Sequence, residues 1–157
     1  MAEYASVGTQ TVNPGETVTF SVVKVPCNRG LVRFRQGTGN FLLSGWVPNT
    51  NRRTCCCQRV TSADYFATFG ANIAVPTGET VGEISLAISI DGATDPTTSM
   101  KATPAAVEEF FNVSRSTNIP IWRGCCETVS IRNTSDIPIL VDNPNLVFTR
   151  PDLDVTY

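Results

Sequence analysis

Residues 84–90, Ile-Ser-Leu-Ala-Ile-Ser-Ile, alternate large aliphatic and small side chains without a break. A period of two belongs to a strand, not to a helix. The same period recurs along the chain. In residues 16–25 it sets Val18, Phe20 and Val22 against Thr17, Thr19 and Ser21, and it returns in 31–35, 41–47, 65–75 and 81–90. Shorter runs at 111–122, 127–132, 137–141 and 146–149 follow. Turn formers punctuate them: Asn13-Pro14-Gly15, Gly37-Thr38-Gly39-Asn40, Pro76-Thr77-Gly78, Asp91-Gly92, Asn133-Thr134-Ser135-Asp136 and Asp142-Asn143-Pro144-Asn145. Each can reverse or kink an extended chain. Strands that are about eight to ten in number, with turns at this spacing, predict an all-β antiparallel β-sandwich or jelly roll. Only residues 105–111, after Pro104, admit a short helical turn. The small face of Ser85, Ala87 and Ser89 would let a second sheet or another subunit approach closely.

A chain of 157 residues suits one domain spanning 1–157. Residues 48–62, rich in Arg and Cys, read as a long loop, and 151–157 as a C-terminal tail. Charged residues make up only 17% of the chain, below the usual level for soluble domains. The surface is therefore rich in uncharged polar groups, which suits an assembly. A net charge of −2 gives no general attraction to nucleic acid or an anionic membrane. No apolar run approaches a membrane span and no basic-then-apolar leader opens the sequence. Synthesis in a cytosol without a signal peptide is expected.

There is no histidine. Its absence removes the commonest general base and metal ligand, together with Ser-His-Asp and Cys-His catalysis. Glu108-Glu109 is the one adjacent acidic pair; on a strand its members would face opposite sides, as solvated charges. Asp91, Asp95, Asp136 and Asp142 stand in turn contexts and read as local backbone acceptors. Gly37-Thr38-Gly39-Asn40 lacks the Lys-Ser/Thr ending and the following helix of a phosphate loop, so it reads as a turn. No catalytic or cofactor-binding residue is expected. Arg33 and Arg35 share one strand face near Arg29, Arg52, Arg53 and Arg59, and could contact an anionic glycan or phosphate. Trp46, Tyr65 and Trp122 could serve as sugar platforms. The glycosylation sequons at Asn112 and Asn133 read as chance matches.

Six cysteines stand out: Cys27, Cys55, Cys56, Cys57, Cys125 and Cys126. Three readings stay open for them. A zinc site would need about four thiolates in the absence of histidine, and the Cys-x-x-Cys spacing that supplies such pairs is missing. Disulfides within or between subunits suit an even number of cysteines and a loop that can reach a partner. Reduced, idle thiols are the third. Cys125 and Cys126 would open a strand and face opposite sides, leaving one for the core and one for an interface or bridge. A cytosol keeps thiols reduced. A particle that assembles inside a cell and is then released, such as a virion or a spore coat, reconciles the two.

The second half carries a more specific pattern. It runs Ile84-Ser-Leu-Ala-Ile-Ser-Ile-Asp-Gly92, Phe111-Asn-Val-Ser-Arg115, Ile119-Pro-Ile-Trp-Arg-Gly124, Glu127-Thr-Val-Ser-Ile-Arg-Asn-Thr-Ser135 and Asn145-Leu-Val-Phe-Thr149. This order resembles the C-terminal head domains of bacterial collagen-like spore-surface glycoproteins, members of the tumour-necrosis-factor-like group of trimeric jelly rolls. The chain departs from that group in having cysteine clusters and no Gly-X-Y stretch. The resemblance implies a homotrimer packed along a three-fold axis. The function expected is non-enzymatic surface display, as a phage virion decoration or head-fibre protein contacting a capsid. A spore-surface or spore-appendage subunit and a carbohydrate-binding module are the alternatives.

Overall fold

The computed structural model describes residues 1–27, 29–48 and 61–153. Twelve strands among them form two antiparallel sheets closed on one hydrophobic core. They are β1 (Ala2–Ala5), β2 (Thr9–Val12), β3 (Val22–Val25), β4 (Val32–Phe34), β5 (Phe41–Ser44) and β6 (Ser62–Ala74). The chain continues as β7 (Ile84–Ile90), β8 (Ala93–Thr94), β9 (Met100–Ala102), β10 (Phe111–Trp122), β11 (Cys126–Asn133) and β12 (Ile139–Thr149). The first sheet runs β10-β6-β12-β1-β3, with β2 also on β12; the second runs β4-β5-β11-β7-β8, with β9 also on β7. The antiparallel pairs β1/β12, β5/β11, β6/β10 and β7/β9 are nested one inside the next along the sequence. That nesting is what defines a jelly roll. No helix among the described residues is long and apolar enough to cross a membrane.

Side-chain period decides which face each strand buries. Along β6, Ala63, Tyr65, Ala67, Phe69, Ala71 and Ile73 point into the core, while Asp64, Phe66 and Thr68 point outward. Ile84, Leu86 and Ile88 of β7 are fully buried in the same core. The small residues opposite them are not free for another subunit, because Ala87 and Ser89 are themselves buried within the chain. Ser85 bonds to Thr134 at 2.6 Å. The Asp91-Gly92 hairpin forms, with both residues at positive φ (49° and 82°), as a two-residue turn with this hand of twist requires.

Three elements differ from the pattern reading. Residues 16–25 are not one strand. Val18 donates to Ile131 O at 2.8 Å in the second sheet, Phe20 to Thr38 O at 3.1 Å, and the chain then crosses to join β1 in the first sheet as β3. Val18 and Phe20 are therefore buried, whereas Val22 and Val23 are exposed. The Asp142–Asn145 segment does not end a strand. Asn143 takes a left-handed φ of 47°, and a bulge absorbs the extra residues, so 139–149 is a single strand. Residues 105–110 form no helix. Glu108 adopts φ 57°, and Glu109 Oε2 accepts from the amides of Ala105 and Ala106, both at 3.1 Å. The two glutamates thus sit in a turn, not on opposite faces of a strand.

The β12 bulge also organises the N-terminus. β2 pairs with β12 before it and β1 after it. Between them the chain turns at Gly8, whose amide donates to Asn143 Oδ1 at 3.0 Å. This seats Tyr4 in the core, where burial, with a smaller contribution from Cys27, pushes its phenol up to about 12. A folded pKa raised above the unfolded value near 10 gives stability that is complete below about pH 10 and is lost as pH rises through about 12. Tyr4→Phe should flatten that loss, by up to about 2–3 kcal/mol. Denaturant melts at pH 9 and pH 12 for both proteins measure it; an equal loss in the two would show that Tyr4 is not the titrating group.

Candidate functional site

One end of the sandwich gathers both tryptophans and the described cysteines that the sequence singles out. β5 leaves the core at Ser44, and Gly45 follows it against the Trp122–Cys125 turn. Gly45 N donates to Cys125 O at 2.7 Å, Gly124 N to Gly45 O at 3.1 Å, and Cys125 N to Trp122 O at 2.9 Å. A Cβ on Gly45 would stand 2.1 Å from Trp122 O and 2.7 Å from Cys125 O. Only glycine permits this approach. The turn holds Trp122 66% exposed, and Trp46 beside Gly45 is 50% exposed. Cys125 and Cys126 are both exposed, so neither enters the core: the turn delivers them at the rim, ahead of the first buried residue of β11. Arg123 N donates to Thr61 O at 2.8 Å, bringing the chain entering β6 to the same end.

Cys27 follows β3 at this end, half-buried against the core. It lines a cleft of about 330 Å³ with Val25, Leu31, Tyr65, Phe148 and Arg150. Cys55, Cys56 and Cys57, with Arg52, Arg53 and Arg59, lie outside the described residues. Among the described residues Cys27, Cys125 and Cys126 are not bridged to one another. No group of three or more Cys, Asp or Glu among the described residues is placed to hold a metal ion.

Tyr65 is buried and cannot be a sugar platform. Its hydroxyl sits 2.5 Å from Ser44 O and 3.2 Å from Leu31 O, tying β6 to the second sheet. Arg150, only 3% exposed, lies 5.0 Å from the centre of the Tyr65 ring. It donates to Trp46 O at 3.1 Å and to both oxygens of Asp152, at 2.9 and 2.7 Å. Burial pushes the Tyr65 phenol up, against the opposing pull of Arg150. The sequence reading missed Arg150, which looks like one more surface cation in Thr-Arg-Pro-Asp. Arg33 and Arg35 are exposed on or just after edge strand β4, which runs away from the tryptophans. The structure brings Trp46 and Trp122 together but not the arginines with them.

Three of the turn aspartates accept hydrogen bonds. Asp91 Oδ1 accepts from Thr128 N at 2.8 Å. Asp95 Oδ1 caps the single 3-10 turn Pro96–Thr98, and Asp142 accepts from Thr9 and Asn143. Gly37 is at φ 81°, and Gly39 passes so close to Val18 that a Cβ would stand 2.3 Å from its carbonyl oxygen. The loop is filled by its own chain. Asn133 is buried, donating to Val12 O and Ile137 O and accepting from Ser135 N. Asn112 is exposed and donates to Asn72 at 3.2 Å.

A second surface was hidden from pattern reading, the outward face of the first sheet. β6 contributes Ser62, Asp64, Phe66, Thr68, Gly70 and Asn72; β10 contributes Asn112, Ser114, Ser116, Asn118, Pro120 and Trp122 in register. Thr68 and Ser116 hydroxyls meet at 3.0 Å. Gly70 leaves bare backbone there, with no atom closer than 4.0 Å to its missing Cβ. β12 adds Asp142, Asn145, Val147 and Thr149. No Lys or Arg projects from these three strands on this face. Phe66 is 46% exposed in its middle. The signal lay in the outward phase of residues 62–72, which the eye passes over because the inward phase carries the core.

No protein-family model and no curated protein matches the sequence. Solved structures do. The globular domain of zebrafish complement 1qA protein superposes with a TM-score of 0.58 at 14% identity, covering 93% of this chain and 94% of that one. The Eiger TNF from S. frugiperda gives 0.59 at 9% identity, covering 99% and 96%. The chain therefore has the tumour-necrosis-factor-like jelly-roll fold, as the motifs of its second half imply. At these identities the likeness is one of fold. A family 35 carbohydrate binding module from an environmental isolate aligns at a TM-score of only 0.38 and carries no argument.

Gly45→Ala tests the architecture of the tryptophan and cysteine end. The added methyl meets backbone rather than a side chain that could swing away, so a loss of about 2–3 kcal/mol is expected. A urea melt of the variant measures it; an unchanged midpoint would show that the 45–125 contact relaxes freely.

Proposed function

We propose that this chain is a non-enzymatic structural subunit: a homotrimeric jelly roll that packs through the outward face of its first sheet and decorates a particle surface. The observation that carries the reading is that face. On β6, β10 and β12 it carries no Lys or Arg and two carboxylates, Asp64 and Asp142, and it is centred on an exposed Phe66 among hydroxyls, amides and the bare backbone of Gly70. Hydroxyl and amide groups donate and accept, so such a surface is complementary to copies of itself. An exposed aromatic at its centre is the usual anchor of an interface. The group that the second half resembles is trimeric along the same kind of axis.

The particle we assign is a phage virion, with the chain as a decoration or head-fibre protein seated on capsid. Support comes from the sparse charge and the lack of histidine, which leave a subunit suited to assembly and poorly equipped for catalysis. A spore-surface subunit is the second reading, favoured by the exposed Cys125 and Cys126, since cross-linked coats use such thiols. Trp46 and Trp122 keep a glycan contact open as a feature of either. Neighbouring capsid and tail genes would favour the virion, a sporulation promoter the spore, and a glycan array reads the third.

Light scattering on the purified chain in reductant is expected to give three times the mass of one chain. Phe66→Asp should yield monomer with an unchanged far-ultraviolet spectrum, because Phe66 contributes nothing to the core. A monomeric parent protein, or a trimer indifferent to Phe66→Asp, would overturn the packing.

A further inference from the structure

We propose that Cys125 and Cys126 are the covalent junction between two copies of this chain, joined about a two-fold axis at the tryptophan-bearing end. Both thiols are exposed. They cannot readily satisfy one another, because neighbouring Cα atoms stand about 3.8 Å apart and an ordinary disulfide spans about 4.4–6.8 Å. Cys27 is no competitor, being half-buried and packed on the core. Among the described residues neither thiol is bridged, and an identical pair on a second copy supplies partners in the self-complementary way a two-fold contact requires.

Two further features mark this end as an interface. Trp46 and Trp122 project beside the cysteines although neither fills the core. Two large exposed indoles at one rim are a surface awaiting cover. The backbone beneath them is rigid: Gly45 and the Trp122–Cys125 turn exchange hydrogen bonds of 2.7 and 3.1 Å, and Arg150 fixes Trp46 O from below. Thiols on such a platform are presented in one geometry, which favours a specific bridge over random oxidation. Cys125 and Cys126 belong to the turn and to β11 of the second sheet, not to the Phe66-centred face of the first sheet, although Trp122 at the end of β10 borders both.

The bond forms by thiol–disulfide exchange. A thiolate of one copy attacks oxidised glutathione and releases one glutathione thiolate, leaving a mixed disulfide. The corresponding thiolate of the second copy then displaces the other glutathione. Two protein thiols are oxidised, one glutathione disulfide is reduced to two glutathione thiols, and the two protons given up by the protein thiols are taken up by the departing glutathione thiolates.

The full chain, reduced and then incubated with oxidised glutathione, is expected to run as a dimer on a non-reducing denaturing gel. Trypsin cuts after Arg123 and Arg132, so the diagnostic product is peptide 124–132 linked to a second copy of itself. Cys125→Ser with Cys126→Ser should cut the dimer at least tenfold, and Cys27→Ser should leave it intact. A link from peptide 124–132 to peptide 54–59, a dimer that survives the double serine variant, or a parent protein that stays monomeric on the gel would each overturn the proposal. Light scattering of the same samples in reductant reads the trimer separately.

Discussion

Phe41 is the contact on which the two sheets depend. It is fully buried on β5 of the second sheet, and four other rings close around it. Tyr4 lies at 4.7 Å between centroids, Phe34 at 4.8 Å, Phe20 at 5.3 Å and Phe148 at 5.4 Å. Those rings come from β1, β4, the segment that crosses between sheets, and β12. Only the Phe34 pair is stacked, with 14° between planes; the other three are tilted or edge-on, at 55–70°, arrangements that favour the positive rim of one ring against the face of another. One side chain thus couples both chain termini of the jelly roll to the opposite sheet.

The position of Phe41 also fixes the end where chemistry is available. Three residues beyond it, β5 leaves the core at Ser44, whose carbonyl accepts from Tyr65. The next residue is the Gly45 that holds the Trp122–Cys125 turn. Arg150 closes the arrangement from β12, the strand that carries Phe148. A buried guanidinium is costly unless every donor finds a partner, and here a carboxylate, a carbonyl and an aromatic face serve. The cation therefore acts as a structural rivet between the end of β12 and the base of Trp46, not as a ligand contact.

What could be read from the sequence was whatever one hydrophobic face announces. β6, β7 and β11 each alternate cleanly, and their inward residues form the core. The N-terminal strands did not announce themselves. Ala2, Tyr4 and Val12 are the inward positions of 2–12, too few and too small to stand out among Glu, Thr and Gln, and their pairing on β12 is set by a bulge 130 or more residues away. The crossing at residues 16–25 was misread for the opposite reason. Its alternation is real, but Val18 and Phe20 serve one sheet while β3 serves the other. The site was least legible where it depends on turn geometry: nothing local to Cys125-Cys126 tells that the strand starts too late to bury either.

Neighbouring residues Tyr65 and Phe66 show how the fold assigns function by phase alone. Both are aromatic, and composition would nominate the tyrosine for binding because it carries a polar tip. The strand turns Tyr65 inward, where its hydroxyl satisfies backbone carbonyls of β5 and the preceding loop, and turns Phe66 outward with no polar group to occupy water. A buried phenol needs its partners and an exposed phenyl ring does not need any. The inward residue is consequently committed to stability, and the outward one leaves apolar surface in water that another surface would bury favourably. The same division separates Arg150 from Arg33, and Phe41 from Trp46. In each pair the buried residue belongs to the sandwich, and its counterpart is exposed.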